Sequence, residues 1–270
     1  MKTILTHHRP HLDDVCAMWL LRRFLPDYQS AAIDFVAAGP GGGDADKSDP
    51  DKTYVGVGRG QFDEHKGDIN DCAASLVLAY VKEHDSLEAD VVTALQHIVD
   101  WVLLEDTGKL ALMEYRDFCI PSVLRGEYDR AGKDSHAVAS IGFAMLDALL
   151  HTQLNILRLE RDWAKRIEFD SDFGRGVAME TSAHDADVFA YRHGFNLVVT
   201  VNVAHNYHSI RANVGSGVDL TPIYEELTRR EPDAGWYFHH SKLMLICGGD
   251  LAPNVLSSRF SVDQLIELFK

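Results

Sequence analysis

The first hundred residues alternate short apolar runs, at 3–6, 31–38 and 53–57, with stretches of helical periodicity at 14–24, 72–83 and 88–103. A helix between two strands carries the chain back to the same starting edge, so the alternation predicts a parallel α/β sheet. In the first helical stretch Val15, Met18, Trp19 and Leu21 supply the apolar side. From 135 to 166 the spacing of Ile141, Met145, Leu149, Leu150, Leu154, Leu157 and Leu159 predicts one long helix, of the kind that joins domains. Beyond the polar stretch 170–176, strands are expected at 188–191 and 196–202, with Arg192-His193-Gly194 as a hairpin turn. A helix at 221–230, strands at 236–239 and 243–247 and a last helix at 262–269 complete the pattern. A chain of 270 residues exceeds the usual single-domain size, and two domains are expected, 1–165 and 166–270. The first is a parallel-sheet α/β domain, and the long helix joins it to a smaller α+β domain.

Composition narrows the class. Hydrophobic residues make up 46% of the chain and charged ones 25%, the balance of an ordinary globular protein. No apolar run approaches the roughly 20 residues that span a bilayer, so a cytoplasmic protein without a membrane partner is expected. Cys16, Cys72, Cys119 and Cys247 are far apart with no Cys-x-x-Cys pair, which points to reduced, mostly buried thiols. The 41 acidic residues exceed the 26 basic ones, for a formal charge of -15. That surplus repels polyanions and argues against long duplex nucleic acid, while leaving small phosphorylated substrates open wherever bound metal ions offset the charge locally.

Three clusters of chemistry-bearing residues each follow an apolar element. The first is Thr6-His7-His8-Arg9-Pro10-His11-Leu12-Asp13-Asp14, where His7, His11 and Asp13 can converge as the chain turns from strand to helix. Nitrogen and oxygen donors together suit Mn, Fe, Co or Zn better than Ca. The second runs Gly58-Arg59-Gly60-Gln61-Phe62-Asp63-Glu64-His65-Lys66, and the third is Glu105-Asp106-Thr107-Gly108. In an open parallel sheet, ligands collect beyond the C-terminal strand ends, where distant loops of this kind meet. Taken singly, Asp63-Glu64-His65 also fits a solvated turn, and Asp106-Thr107-Gly108 a helix C-cap. The run Gly39-Pro40-Gly41-Gly42-Gly43, followed by Asp44, Asp46, Asp49 and Asp51, lacks the Gly-Lys-Ser/Thr of a P-loop and is expected to be a flexible acidic loop. Arg211 fits either a phosphate clamp or a surface charge. His205 and His208 beside Tyr207 are placed on a loop without a nearby carboxylate, which makes a poor metal site.

In order and spacing the clusters resemble the DHH phosphoesterase superfamily. The segment His7 to Asp13 is similar to its first motif, with His11 where many members have aspartate. Asp63-Glu64-His65 is similar to the name-giving Asp-His-His, and Asp106-Thr107-Gly108 to the fourth motif. Within the superfamily the chain most resembles the Myg-type 3′-to-5′ RNA exonucleases. Val55-Gly56-Val57-Gly58 stands where that branch has Val-Asp-Val-Gly, and Phe238-His239-His240-Ser241-Lys242 through Gly248-Gly249 resembles its C-terminal substrate-binding segment.

The resemblance implies a DHH-type metal-binding domain followed by a substrate-binding domain, and a metal-dependent hydrolase, exonuclease-like, cleaving a phosphodiester or phosphoanhydride of a short oligonucleotide or nucleotide at the interdomain cleft. It implies His7, His11, Asp13, Glu64 and Asp106 as metal ligands, Asp13 and His65 as catalytic residues, and His240, Ser241, Gly248 and Gly249 beside Arg211 for substrate. Manganese is the expected metal, with Mg, Co or Zn as alternatives; a homodimer is compatible. Two departures stand out. Gly56 replaces the second-motif aspartate, which in the superfamily bridges two metals, and Glu64 replaces a ligand histidine. Glycine offers no side-chain donor, so the alternative is a catalytically reduced protein that binds a phosphorylated ligand without turnover, unless another carboxylate such as Asp49 or Asp51 serves as the bridge.

Overall fold

A computed structural model of the chain describes residues 1–39, 43–44, 49–65, 70–130, 132 and 134–270. Pro40-Gly41-Gly42 and Asp46 of the acidic loop, and Lys66, lie outside the described residues. The chain forms two compact units, Met1–Leu154 and Asn155–Lys270. The expected boundary near residue 165 lies just past the long helix, whereas the units divide within it.

The fold is α/β. In the first unit β1 (Thr3–His7) is the central strand of a three-stranded parallel sheet, between β2 (Ala32–Val36) and β3 (Lys52–Tyr54). Thr3 faces Ala32 and Lys52 across the two ladders, and His7 faces Val36. Ile4, Leu5 and Thr6 are all buried, as a central parallel strand covered on both faces requires. Helix α1 (Leu12–Phe24) is buried at every position from Leu12 to Leu21, and α2 (Ala73–His84) and α3 (Ala89–Asp106) pack against it. An additional helix, α4 (Ile120–Arg130), precedes the long α5 (Ser135–Trp163). Gly142 of α5 lies against Val15 so closely that a Cβ there would strike the valine methyl. The Trp19 indole N–H donates to Asp147 Oδ1 of α5 at 3.0 Å. By length and composition alone α5 could cross a bilayer, since one 18-residue window of it has a mean hydropathy of 1.3. Its Val138, Ala139, Leu146 and Leu150 are buried among the residues of the protein.

The second unit is built on a six-stranded mixed sheet in the order β4-β5-β6-β7-β9-β8: β4 (Ile167–Ser171), β5 (Gly174–Glu180), β6 (Leu197–Asn202), β7 (Tyr207–Ala212), β8 (Tyr237–Phe238) and β9 (Met244–Gly248). Only β5 and β6 run parallel, joined through α6 (Ala186–Arg192); the remaining pairs are antiparallel. Its core gathers Leu197, Val199, Ile210 and Leu245 with Leu220 and Leu227, the latter from α7 (Thr221–Arg230), and with Leu265 of α8 (Val262–Ile266).

Three expectations change here. The run 188–191 lies in α6, where Ala186 and Ala190 are buried one helical turn apart. A four-residue apolar run does not separate strand from helix. The expected hairpin turn at 192–194 is the end of that helix, with Gly194 at φ 85° and its N–H donating to Tyr191 O. His208 and Arg211, with Tyr207, sit on strand β7, and 167–180 forms the β4–β5 hairpin that the polar stretch had hidden.

Candidate metal centre

The parallel sheet sets the stage, because β1 and β3 end on the same edge. His7 closes β1, and the chain then turns through Arg9, at φ 57°, into α1. That turn is anchored from three sides. Arg9 N–H donates to the Ser135 hydroxyl (3.1 Å), the Tyr128 hydroxyl donates to Pro10 O (2.9 Å), and the Arg9 guanidinium lies 5.0 Å from the centre of the Tyr128 ring. Past β3, Val55 bridges to Phe62 and Gly56 N–H donates to Phe62 O (2.8 Å), which folds residues 56–62 into a loop and presents Asp63, Glu64 and His65 at the same edge. Asp106 ends α3.

These residues surround one cavity of about 1020 Å³, lined by His7, His11, Asp13, Asp14, Asp44, Gly56, Arg59, Asp63, Glu64, His65 and Asp106 among others. Two groups within it have donor atoms within 4.8 Å of one another: His7 with His11 and Asp14, and Asp63 with Glu64 and His65. Sequence reasoning had placed Asp14 and Asp63 within its clusters but had assigned neither a role. Asp14 is the third helical residue of α1, where a carboxylate closes a capping box, and that position was the available signal.

Asp14 is 2% exposed and accepts from three directions: the Thr6 hydroxyl at Oδ1 (3.1 Å), and at Oδ2 the His11 backbone N–H (3.0 Å) and His7 Nε2 (2.9 Å). The His7 ring is oriented from its other side, since a carbonyl only accepts and His7 Nδ1 lies 2.8 Å from His8 O. With Nδ1 carrying a proton, Nε2 holds a second proton towards Asp14 or is the atom that meets a cation. The hydrogen bond to Asp14 raises the His7 pKa to about 9; burial opposes the rise, and the Asp14 and Glu64 charges support it.

Crowded carboxyls dominate the rest. Burial pushes Asp13 well above the usual carboxylate range, and the charges of Asp14, Asp106 and Glu64 push the same way. Burial also raises Glu64, against its own backbone N–H and His65, with Asp14 and Asp63 adding to the rise. Asp106 is raised by burial and then by Asp14 and Glu105. Asp63 differs. Burial alone would raise it, but the His65 side chain and the N–H groups of Arg59 (2.6 Å) and His65 (3.1 Å) together hold it below the ordinary value. In return, His65 is raised by its Nδ1 contact with Asp63 at 2.9 Å, with burial opposing.

The residues present fit a divalent cation on two observations. Glu64 Oε2 is buried without a hydrogen-bond partner among the described residues. Six carboxylates face the cavity against one guanidinium and three imidazoles, an imbalance that a cation relieves. Asp51 lies elsewhere: its carboxylate accepts from the Met1 amine and its carbonyl from Thr3 N–H, at the opposite end of β1 from His7. Asp49 belongs to the same turn, its Oδ1 accepting from Asp51 N–H.

The expected substrate residues of the second unit fall into separate places. Gly248 and Gly249 line a cavity of about 600 Å³ with His205, Asn206, Asp250 and Arg259. Arg211 and the turn holding His240 and Ser241 lie towards the other end of β9, since Arg211 pairs with Met244 and Gly248 with Tyr207. Four residues along a strand span about 13 Å. Arg211 is engaged by Asp187 Oδ2 (3.3 Å) and the Tyr207 hydroxyl (3.1 Å), and Ser241 by His239 Nδ1 (2.8 Å). His240 is exposed, with its ring 4.0 Å from that of the half-buried His239.

No family model matches the sequence, and no curated protein matches it. Among solved structures the chain is similar to one described as the DHH domain of a member of a family of ribosomal proteins. The identity is 12%, over 99% of this chain and 85% of that chain, with a TM-score of 0.35, a likeness too distant to assign a fold or a function.

Proposed function

We propose that the chain is a metal-dependent phosphoesterase of DHH type, hydrolysing a short oligonucleotide, a nucleotide or another small phosphorylated substrate. The observation that carries this reading is the convergence of His7, His11, Asp13, Asp14, Glu64 and Asp106 on one cavity at the C-terminal edge of a parallel sheet, with a buried Glu64 oxygen that has no partner among the described residues. The order of the sequence motifs supports it independently.

His7, His11, Asp13, Asp14, Glu64 and Asp106 would hold divalent cations, manganese first, with Mg, Co or Zn as alternatives. A bound cation lowers the pKa of its water and offsets the charge of a phosphoryl group. The protein's own contribution is orientation and proton handling. Asp63 holds His65 by its Nδ1, which makes Nε2 the ring atom that gives or takes a proton at a leaving oxygen, a role worth roughly 10²–10⁴-fold. The Arg59 side chain, exposed at the cavity wall, supplies positive charge for a phosphate oxygen. The alternative is a protein that binds a phosphorylated ligand without turnover, for which the missing side chain at Gly56 speaks; the Asp14 carboxylate lies beside that position.

The test is hydrolysis by the manganese-loaded protein of a panel of short single-stranded oligonucleotides, dinucleotides and pyrophosphate. Cleavage that stops with chelator, returns with manganese and falls at least about 100-fold in His65→Gln is expected. No turnover across the panel at full metal loading would overturn the proposal.

A further inference from the structure

We infer that Asp14 takes the place of the carboxylate missing at Gly56 and is the side chain that joins the two metal-binding groups of the cavity. This rests on the metal-site reading above and adds to it a role for a residue outside the expected ligand set.

Gly56 is buried at φ 64°, and a Cβ built on it would collide with Asp14 Oδ1 and stand 3.3 Å from Asp14 Cγ. The carboxylate of Asp14 therefore fills the volume into which a side chain at 56 would project. An aspartate at 56 and Asp14 in its present position cannot coexist, so the two positions behave as a matched pair. One holds the acid, and the other must be without a side chain.

The location is also central. Asp14 belongs to the group formed with His7 and His11, and it lines the same cavity as Asp13, Asp63, Glu64, His65 and Asp106. Capping α1 occupies one oxygen, through the His11 N–H. The other is held by the Thr6 hydroxyl and faces Gly56. A residue serving only as a helix cap has no need of a buried cradle cleared at a sequence-distant glycine.

The experiment is manganese titration by calorimetry of the full chain and three variants, with circular dichroism and thermal unfolding as folding controls. Asp14→Asn keeps the volume and a capping oxygen but loses the charge, and is expected to lose one bound ion or to bind at least about tenfold more weakly. Gly56→Asp alone is expected to gain no ion and to unfold at lower temperature. In Asp14→Ala/Gly56→Asp the space is open for the new carboxylate, at a backbone angle aspartate tolerates, and recovery of the ion lost in Asp14→Ala is expected. Folded Asp14→Asn that binds manganese as the wild type does would overturn the inference while leaving the metal-site reading standing. A double variant no better than Asp14→Ala would also count against it. A wild-type chain that takes up no manganese would overturn both.

Discussion

Asp14 and Gly56 exclude each other: the aspartate carboxylate occupies the space a side chain at 56 would enter, and the glycine sits at a left-handed backbone angle. Gly56→Ala should therefore destabilise the metal-free protein by about 2–4 kcal/mol, combining overpacking with strain. Urea unfolding in the presence of chelator measures it, and a change below about 0.5 kcal/mol would contradict the packing described.

Thr6 is fully buried and gives its hydroxyl proton to Asp14 Oδ1. Thr6→Val keeps the shape and removes the donor. The expected cost is about 1–2 kcal/mol of stability, together with weaker manganese binding because the carboxylate loses one of its fixed contacts. Unchanged unfolding and unchanged manganese affinity would show that this hydroxyl does not orient Asp14.

Much of the first unit was legible in the sequence because parallel strands and their helices carry strong periodic patterns. The three strands and first three helices lie close to their expected positions, with ends displaced by no more than a few residues. The site was legible as clusters of donors beyond strand ends, but Asp14 was not. Adjacent residues such as Asp13 and Asp14 point to different sides of a helix, and nothing in one dimension shows that Asp14 reaches the space beside Gly56. The second unit was harder. Gly174-Arg175-Gly176 reads as a polar loop, yet it opens β5, where the Phe169 ring covers Gly176 and takes the place of a side chain.

His208 gives the second unit a pH dependence of defined sign. Its ring is buried on β7; burial lowers its pKa, while a hydrogen bond from Nε2 to Phe260 O (3.0 Å) and the Glu231 charge partly restore it. Ser257 Oγ lies 3.4 Å from its other ring nitrogen, and the Trp236 ring centre is 6.4 Å away. The folded state thus prefers the neutral ring, and the unfolded chain takes up a proton first as pH falls below about 6.5. Stability from this group is complete above that pH and is lost as pH falls through the depressed folded value. Urea unfolding at pH 5, 6 and 7, followed by tryptophan fluorescence, should show a steeper loss in the wild type than in His208→Gln; equal slopes would contradict it.

Burial, and after it the charges of Asp14 and Glu105, raise the pKa of Asp106. Asp106→Asn should leave the metal-free melting temperature unchanged or higher, and reduce the gain produced by manganese. In the wild type, saturation at 100 times Kd corresponds to about 2.7 kcal/mol. Thermal scans with chelator and with manganese measure both quantities, and an undiminished gain in the variant would remove Asp106 from the proposed ligand set.

The most direct test of the metal-dependent account is manganese content per chain, by equilibrium dialysis and elemental analysis of the wild type and His7→Ala. The account predicts two ions in the wild type and a loss of manganese in the variant. A wild-type content no higher than the dialysis blank would contradict it.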